Sequence, residues 1–442
     1  MAAAEDGGPA CRLAARVIIA GGGLAGLASA AMLGQSGFEV DLFESRSFLG
    51  GRATSYPIQD EVIDNCQHVL LRCCTSLLDF YARLGVTDAI RFHRTFYFIE
   101  PGGRVSAFER GHLPAPAHFT GSFLGLDFLS WSEKIAVGRA MAAILLEDRD
   151  DLDRISMLDW LREQGQPERA ISRYWNQVLV SAINEDLDRM AASHGFQVFR
   201  EGFLASRNSY EMGVPAVPLA QLYSEEAWRT HVPNVRFHLR TPVERMGVGG
   251  VTAGGRDWTA DAYICALPFE RINAVVPDAG LSFEGWEHSP ITGIHLWFDR
   301  PVTDLPHGTL LDRTMQWFFN KGGGRYLQIV VSASRSLVEL PRQDVIDLAV
   351  RELAEFLPLV RGAQLEKAHV VKEVRATFSA KPGLVRPDVR SRIPGLYFAG
   401  DWVNTGWPAT MEGAVRGGYQ AAAAISSPPA EDTKPNSPHQ RK

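Results

Sequence analysis

The chain has 442 residues, of which 45% are hydrophobic and 22% charged, and its formal net charge is −6. This composition predicts a globular protein long enough for two domains and a large core, and the acidic balance gives no basic field for a nucleic acid. Five cysteines without paired spacing predict a reducing compartment, no metal site and a cytoplasmic protein. We expect neither a membrane-spanning run nor a secretory leader.

The first elements form the pattern of a dinucleotide-binding unit. A short apolar strand over 16–20 leads directly into Gly21-Gly22-Gly23-Leu24-Ala25-Gly26, which fits G-x-G-x-x-G. A helix of small residues follows, and then a second strand over 39–43. The order strand, glycine turn, helix and strand predicts a fold that cradles a pyrophosphate.

Each glycine of the turn has a predicted role. Gly21 permits the tight turn, Gly23 lets the pyrophosphate approach the backbone, and Gly26 lets helix and strand pack closely. Leu24 and Ala25 begin the helix, whose N-terminus presents free N–H groups to the phosphates.

A second group of predicted cofactor contacts follows the second strand. Glu44 ends that strand, where a carboxylate accepts hydrogen bonds from ribose hydroxyls. Its neighbours Ser45 and Arg46 join the predicted site. Gly51 and Arg52 suit another close approach to phosphate, although Gly50-Gly51-Arg52 read alone is an ordinary glycine turn.

A run of helices is predicted next. Hydrophobic residues at helical spacing indicate helices over 76–84, 132–146, 157–164 and 175–193. The segment 119–131 is crowded with phenylalanine and leucine and follows Pro114 and Pro116. Two interpretations of this segment stay open, namely core packing and an apolar mouth that rests on a membrane surface.

Short strands dominate the second half of the chain. They are predicted over 235–239, 262–268, 291–298, 315–320 and 326–332, with a hairpin around the glycines of 249–255. An amphipathic helix is expected over 344–356. A last apolar strand closes on Gly400 and Asp401, an acid that suits the polyol chain of a flavin or, read alone, a turn or helix cap.

These motifs resemble the FAD-binding flavin amine oxidase and phytoene desaturase superfamily. The resemblance rests on the opening cradle, on Gly50-Gly51-Arg52 and on Gly400-Asp401. Within the superfamily, the segments 63–71, 289–301 and 400–414 resemble bacterial hydroxysqualene dehydroxylases, the squalene-associated FAD enzymes of hopanoid synthesis. The last of these segments is long and rare in composition, so it has the most weight.

The resemblance implies an α/β fold with FAD as cofactor. A Rossmann-like FAD-binding domain (14–72, 205–286 and 370–426) is interleaved with an α+β substrate domain (73–204 and 287–369). Further FAD contacts are implied for Gln67, Val243, Thr410 and Met411. The composition of 427–442 predicts a disordered tail.

The resemblance also implies a reaction, the reduction of hydroxysqualene to squalene. Loss of the hydroxyl leaves an allylic cation, which hydride from reduced flavin quenches. The departing water needs a proton, for which Asp64, His68 and Glu412 are candidates. The cation needs electron-rich walls, for which Trp407 is the first choice.

Each candidate has a structural alternative. Asp64 can hold backbone N–H groups, His68 can be a core histidine, and Glu412 can interact with the N-terminus of the final helix. Trp407 can pack in the core. Trp297 and Phe298, the reserve candidates for the walls, alternate on a strand, so at most one of them faces the pocket.

Two functional alternatives stay open beside dehydroxylation: a phytoene-type carotenoid desaturase, and a non-catalytic escort protein for a prenyl lipid. For all three we expect an isoprenoid ligand. We also expect peripheral contact with the inner face of the cell membrane, and squalene-pathway synthases as further partners.

Two positions depart from the family patterns. Cys66 stands where the dehydroxylases have glycine, which places a thiol near the expected flavin. Gly293 stands where flavin amine oxidases usually carry a lysine. Because amine oxidation commonly uses that lysine with a bound water, its replacement argues against amine substrates.

Overall fold

The structure, a computed structural model, describes residues 15–58 and 60–426, so the tail predicted at 427–442 lies outside it. The strands are β1 Arg16–Ala20, β2 Glu39–Phe43, β3 Ser55–Ile58, β4 Glu61–Asp64, β5 Leu70–Leu71, β6 Ile90–His93, β7 Thr95–Ile99, β8 Val105–Glu109, β9 Met212–Pro215, β10 Val235–His238, β11 Val243–Gly247, β12 Gly250–Ala253, β13 Arg256–Trp258, β14 Ala262–Cys265, β15 His288–Phe298, β16 His307–Leu310, β17 Trp317–Gly322, β18 Tyr326–Ser332, β19 Leu365–Phe378 and β20 Leu396–Phe398.

The helices are α1 Leu24–Gln35, α2 Thr75–Arg83, α3 Thr120–Leu124, α4 Trp131–Leu146, α5 Met157–Glu163, α6 Glu168–Ala170, α7 Asn176–Ile183, α8 Ala192–Gln197, α9 Glu225–His231, α10 Phe269–Val275, α11 Arg335–Val338, α12 Arg342–Phe356 and α13 Met411–Ser426. Within the described residues, none of them is long and apolar enough to cross a membrane.

A five-stranded parallel sheet in the order β10-β2-β1-β14-β20 holds the predicted cradle. Side chains alternate across β1, so Val17 and Ile19 pack with α1 and α13, whereas Ile18 packs with the three-stranded sheet β11-β12-β13. A Cβ on Gly418 would lie only 2.3 Å from the Ala25 carbonyl oxygen, so this glycine lets α13 pack closely on α1. The α/β class expected from the sequence is confirmed.

A seven-stranded sheet in the order β19-β15-β18-β17-β16-β7-β8 forms the second large layer. One face, with Ile294 and Ile329, packs on Val345 and Leu353 of α12. Each such fully buried aliphatic side chain contributes roughly 1.5–3 kcal/mol. The other face carries the alternate residues of the same strands and lines a cavity. Because β19 runs unbroken to Phe378, the boundary predicted at residue 370 falls inside this strand.

The helix predicted over 175–193 is wrong in extent. It ends at Asn184, which has a left-handed φ of 60°. The Asn184 amide donates to the Ser289 carbonyl (3.0 Å) and to Thr377 Oγ1 (2.9 Å), and its oxygen accepts from the Ala333 N–H (2.7 Å). Bonds to three distant segments therefore fix a turn that the local hydrophobic pattern does not reveal.

The segment 119–131 is mostly core. Buried side chains are Phe119, Leu126, Phe128 and Leu129, whereas Leu124 and Trp131 are exposed. The outward face of α4 continues this exposure with Ile135 and Leu146. An exposed apolar surface is therefore present, but it lies mainly on α4.

Candidate active site

The glycine turn between β1 and α1 is a tight cradle. Gly21 has a positive φ of 108°, and a Cβ there would lie 2.6 Å from the Ala266 carbonyl oxygen. A Cβ on Gly26 would lie 1.9 Å from the Gly21 carbonyl oxygen, so helix packing itself requires this glycine. At Gly23 the nearest atom to an added Cβ is 3.9 Å away, so protein packing leaves space above this backbone.

The N-terminus of α1 faces that space. Gly23 occupies the N-cap position and, among the described residues, no side chain caps the helix. The first N–H groups, including those of Leu24 and Ala25, are therefore free for an anion at the positive end of the helix dipole. This observation fits a pyrophosphate.

Glu44 is held rigidly at the end of β2. Its Oε2 accepts from the Gly22 N–H at 2.8 Å, while Oε1 accepts from the Arg46 N–H (2.8 Å) and from Ser45 Oγ (3.0 Å). Each carboxylate oxygen offers about two lone-pair directions. The oriented carboxylate thus keeps capacity for ribose hydroxyls.

Gly51 and Arg52 lie against the cradle. The Gly50 N–H donates to the Gly22 carbonyl at 2.8 Å, and a Cβ on Gly51 would lie 3.0 Å from Gly23 Cα. Arg52 donates through Nη2 to Asp401 (3.0 Å), which follows Gly400 at the end of the sheet. The two glycine motifs and the C-terminal motif, distant in sequence, therefore meet at one site.

Three further residues that are predicted to contact FAD lie on other elements. Val243 starts β11 and pairs with Ala253. Met411 begins α13 and Thr410 directly precedes it; both line the cavity, and Thr410 Oγ1 accepts from the Gly413 N–H at 3.1 Å. Their roles toward FAD stay predictions.

The cavity beside these residues is predominantly apolar. It encloses about 240 Å³ and reaches from Trp407 and Met411 to Phe98 and Phe108 on the seven-stranded sheet. A few polar side chains face it, among them Gln67, Gln177, Glu201 and Ser332. We call it the apolar cavity.

Asp64 is not a free acid. Its Oδ1 accepts from Ser55 Oγ (2.6 Å) and the Leu219 N–H (3.0 Å), and Oδ2 pairs with Lys321 Nζ (3.2 Å). These three contacts hold the carboxylate in a fixed orientation. Lys321 also donates to Gln67 Oε1 at 3.3 Å, a contact that no sequence motif signals.

His68 is partly exposed, but its Nδ1 is buried and has no hydrogen-bond partner among the described residues. Burial lowers the pKa of His68 to about 4, although the nearby Asp64 carboxylate opposes the shift. The imidazole is therefore neutral near pH 7, and such a group is a poor proton donor.

Glu412 holds two helices together. It lies in the first turn of α13 and accepts from the Ser76 N–H (3.1 Å) and the Leu77 N–H (2.7 Å) at the N-terminus of α2. Arg416 donates to it as well, at 2.7 Å. The carboxylate thus caps α2 rather than its own helix, and all these contacts are structural.

Trp407 lines the apolar cavity, as expected for a wall residue. The Arg416 guanidinium lies over its ring, 4.7 Å from the centroid. Trp297 and Phe298, by contrast, do not line the cavity. Trp297 stacks on Tyr326 at 4.4 Å, and Phe298 is buried against the α12 layer.

Cys66 and Gly293, the two residues that depart from the family patterns, lie next to each other. A Cβ on Gly293 would lie 3.2 Å from Cys66 Cα and 3.3 Å from its Sγ. Cys66 is buried with a positive φ of 59°, and burial raises the pKa of its thiol to about 12. The thiol is therefore protonated and fills the space that Gly293 leaves.

Gln177, Lys321 and Arg416 are residues of the site that the sequence does not single out. The first is buried on α7 and faces the apolar cavity. Strand register and helix packing bring them to the site, and no local motif marks them. Among residues 15–58 and 60–426, no group of His, Cys, Asp and Glu side chains is arranged to hold a metal ion.

A parallel sheet with this glycine cradle defines a dinucleotide-binding protein. The sequence profile of the family described as flavin containing amine oxidoreductase matches residues 24–426. The chain belongs to this family, and it is an FAD-dependent oxidoreductase.

Curated relatives are carotenoid desaturases. The chain is 26% identical over 453 residues to a 15-cis-phytoene desaturase of Synechococcus elongatus, covering 93% of this chain and 95% of the relative. A probable zeta-carotene desaturase of the same organism is 25% identical over 476 residues, covering 93% and 98%. These relatives do not single out the narrower resemblance to hydroxysqualene dehydroxylases.

Solved structures show the same fold. An oxidoreductase from Methanosarcina mazei superposes with a TM-score of 0.70 at 18% identity, covering 93% of this chain and 100% of that chain. A putrescine oxidase triple mutant superposes with a TM-score of 0.68 at 18% identity, covering 93% and 98%.

Proposed function

We propose that the chain reduces hydroxysqualene to squalene. The observation that carries the proposal is the apolar cavity, which begins at the Trp407–Met411 segment and contains a few polar side chains. A long isoprenoid matches its apolar lining, and Gln177 or Gln67 offers hydrogen bonds to a hydroxyl, which a pure hydrocarbon would leave unmade. The resemblance of 400–414 to the dehydroxylases supports the same substrate.

FAD supplies hydride transfer when it is bound, and Gly23, the α1 N-terminus, Glu44 and Asp401 would hold it. The chain's own part is to orient the lipid and to exclude water. Trp407 would stabilise positive charge on the allylic carbons. Because Asp64 and Glu412 each contact three donors and His68 is neutral, all three are disfavoured as the proton donor, and their catalytic roles stay predictions.

Desaturation of a carotenoid precursor is the second candidate, and the curated relatives favour it more directly than they favour dehydroxylation. The two reactions use opposite redox states of the flavin. Desaturation consumes oxidised FAD, whereas dehydroxylation consumes reduced FAD. Family membership leaves no support for the non-catalytic escort.

Product analysis separates the candidates. The FAD-loaded protein is incubated anaerobically with hydroxysqualene under reducing conditions, and with phytoene under oxidising conditions, and the products are analysed by mass. We expect squalene in the first reaction. Loss of hydrogen from phytoene, with no squalene formed, would establish the second candidate and overturn the first.

Trp407 provides the matched variants. Trp407→Ala should lower turnover at least tenfold while flavin content is unchanged, since a desolvated cation–π contact is worth about 2 kcal/mol. Trp407→Phe should keep part of the activity. Equal turnover in all three proteins would remove Trp407 from the proposed site.

Contact with a membrane and with squalene-pathway synthases stays a prediction. The exposed side chains of α4, such as Trp131 and Ile135, form the surface on which a vesicle-binding experiment would test the first of these contacts.

A further inference from the structure

A second cavity lies beside the apolar cavity, and we call it the polar pocket. Apolar residues form part of its lining, and the polar and charged side chains that face it are Asp64, Arg91, His93, Asn320, Lys321 and Tyr326. Arg91 is exposed to solvent. Phe319 lines both cavities, so the strand β17 separates them.

The wall between the cavities is a row of directly paired residues on one face of the seven-stranded sheet. His295 pairs with Gln328, Gln328 with Phe319, and Phe319 with His307. Side chains of directly paired residues point to the same face. We call these four residues the partition.

The partition contains buried polar atoms that lack partners. Among the described residues, no group bonds to Oε1 or Nε2 of Gln328, to either ring nitrogen of His307, or to Nε2 of His295. All three side chains are at most 1% exposed. Because buried polar atoms are almost always bonded to protein or to ordered water, we expect this row to bind ordered water.

Both ends of the row contact residues that line a cavity. His295 Nδ1 is 2.7 Å from the hydroxyl of Tyr326, which lines the polar pocket. The His307 ring lies 5.0 Å from that of His93 on the polar pocket and 6.1 Å from that of Trp317 on the apolar cavity. The partition therefore adjoins the polar pocket at both ends and reaches the apolar cavity through the rings of Phe319 and Trp317.

The proposed reaction requires a proton inside the apolar cavity. The carbon–oxygen bond breaks, the hydroxyl takes up one proton and leaves as water, and the carbon gains a hydride from reduced FAD. In the alternative desaturation, one proton must instead leave the cavity as a carbon–carbon double bond forms and oxidised FAD takes up a hydride. Either reaction needs a route between the reacting carbon and solvent.

Three of the titratable residues that line the cavity are disfavoured as sources of that proton. Glu412 is engaged by three donors, and burial raises the pKa of Tyr174 well above its ordinary value. Contact with Cys73, together with burial, raises the pKa of Cys74. Glu201 is exposed, and it is the competing candidate.

We propose that the partition, with the water it binds, is a proton relay between the polar pocket and the apolar cavity. The inference rests on the proposed function for its direction, which is inward for dehydroxylation and outward for desaturation. Gln328 and His307 are positioning residues in this relay, because they hold the water that carries the proton.

The electrostatic surroundings suit transfer without a trapped charge. Burial lowers the pKa of both His295 and His307 to about 3, so both rings are neutral and each can donate and accept one hydrogen bond. The groups around His295 are Tyr326, His369, Lys321 and Asp64, and His93 faces His307.

The first test is independent of catalysis. A high-resolution crystal structure of the FAD-loaded protein should show ordered water within hydrogen-bonding distance of the Gln328 amide and of a His307 nitrogen. A dry partition would overturn the relay, whether or not any lipid is a substrate.

The second test uses single-turnover kinetics in H2O and D2O with Gln328→Leu and His307→Phe. We expect the chemical step to slow at least tenfold and its solvent isotope effect to rise, with KM and flavin content unchanged. The matched control is Thr309→Val, which removes another buried hydroxyl that has no hydrogen-bond partner among the described residues. Thr309 lies outside the row, because its strand neighbour on β17 is Trp317. Unchanged rates in the two partition variants, or a loss of rate only in Glu201→Gln, would contradict the relay.

The two tests keep the proposals apart. Wild-type protein that produces neither squalene nor a desaturated carotenoid refutes the proposed function, and the crystal structure still decides whether the relay exists. Wild-type protein that reacts while the partition variants are unaffected refutes the relay alone.

Discussion

Gly23 and Gly26 lie in the same turn but are glycines for different reasons. A Cβ added to Gly26 would lie 1.9 Å from the Gly21 carbonyl oxygen. A Cβ added to Gly23 would have no atom closer than 3.9 Å. The protein's own packing explains Gly26, whereas space for a ligand explains Gly23. The sequence motif already predicts these two different roles, and the distances around the two glycines agree with them.

This difference gives a prediction at the residue scale. Gly23→Val should abolish retention of FAD while the protein keeps its thermal unfolding transition, because the side chain enters the space for the pyrophosphate. Gly26→Ala should lower stability by several kcal/mol, since the new methyl group overlaps backbone. Flavin absorbance and circular dichroism measure the two effects, and a yellow Gly23→Val protein would contradict the assignment.

Gly293 and Cys66 give a second prediction at this scale. Gly293→Lys should lower the free energy of unfolding by about 2–3 kcal/mol, because it crowds Cys66 and buries a charge. Adding Cys66→Gly should recover part of the loss, since it removes the contacting thiol and relieves a left-handed backbone. Urea unfolding of the four proteins measures the coupling, and strictly additive effects would show that the two positions are independent.

The same pair of residues bears on the substrate class. With no lysine at position 293, we expect no peroxide release from primary amines or polyamines. Release at rates typical of enzymes would contradict this expectation.

Glu412, in the first turn of the final helix α13, has a structural partner that its sequence motif does not reveal. The sequence predicts Glu412 as a candidate acid, with the N-terminus of its own helix as the structural alternative. The structure instead brings it to the N-terminus of α2, more than three hundred residues earlier in the chain. Sequence reasoning identifies short local units such as the β1–α1–β2 cradle, because their physics is local, but it does not identify such long-range partners.

A prediction follows for this element. Glu412→Gln should lower the free energy of unfolding by about 1–3 kcal/mol, because it weakens the cap on α2 and leaves Arg416 without its partner. Turnover per flavin-loaded molecule should stay within about twofold. A loss of turnover of a hundredfold or more, with stability unchanged, would restore Glu412 as the catalytic acid.

At the scale of the whole molecule, buried histidines make stability depend on pH. Burial lowers the pKa of His295 and His307 to about 3, whereas an unfolded histidine titrates near 6.5. The unfolded chain therefore binds more protons at intermediate pH, and stability falls as pH drops below about 6.5. Each of the two should contribute about 1 kcal/mol of loss near pH 5.5.

Urea unfolding at several pH values checks this linkage. The midpoint should move to lower urea between about pH 7.5 and 5.5, and the shift should shrink in His307→Phe. A midpoint that is independent of pH over this range would show that these rings titrate normally.

The architecture as a whole was accessible from the sequence more readily than the chemistry. Alternating residues in β15 and β18, and the apolar face of α12, predict a sheet covered on one side. The substrate side depends on which strands are neighbours, and therefore on the register that brings Gln328 between His295 and Phe319. That register places buried polar side chains on one face of the sheet, and no linear pattern in the sequence predicts the register.

We propose that this flavoprotein delivers hydride to a long isoprenoid alcohol. The most direct measurement mixes the anaerobically reduced protein, carrying deuterium at the transferable position of FAD, with hydroxysqualene in a single turnover. We expect the absorbance of oxidised flavin to return as squalene with one deuterium appears. Two results would contradict this expectation: flavin that stays reduced, or squalene that lacks deuterium although it formed before the deuterium on FAD exchanged with solvent.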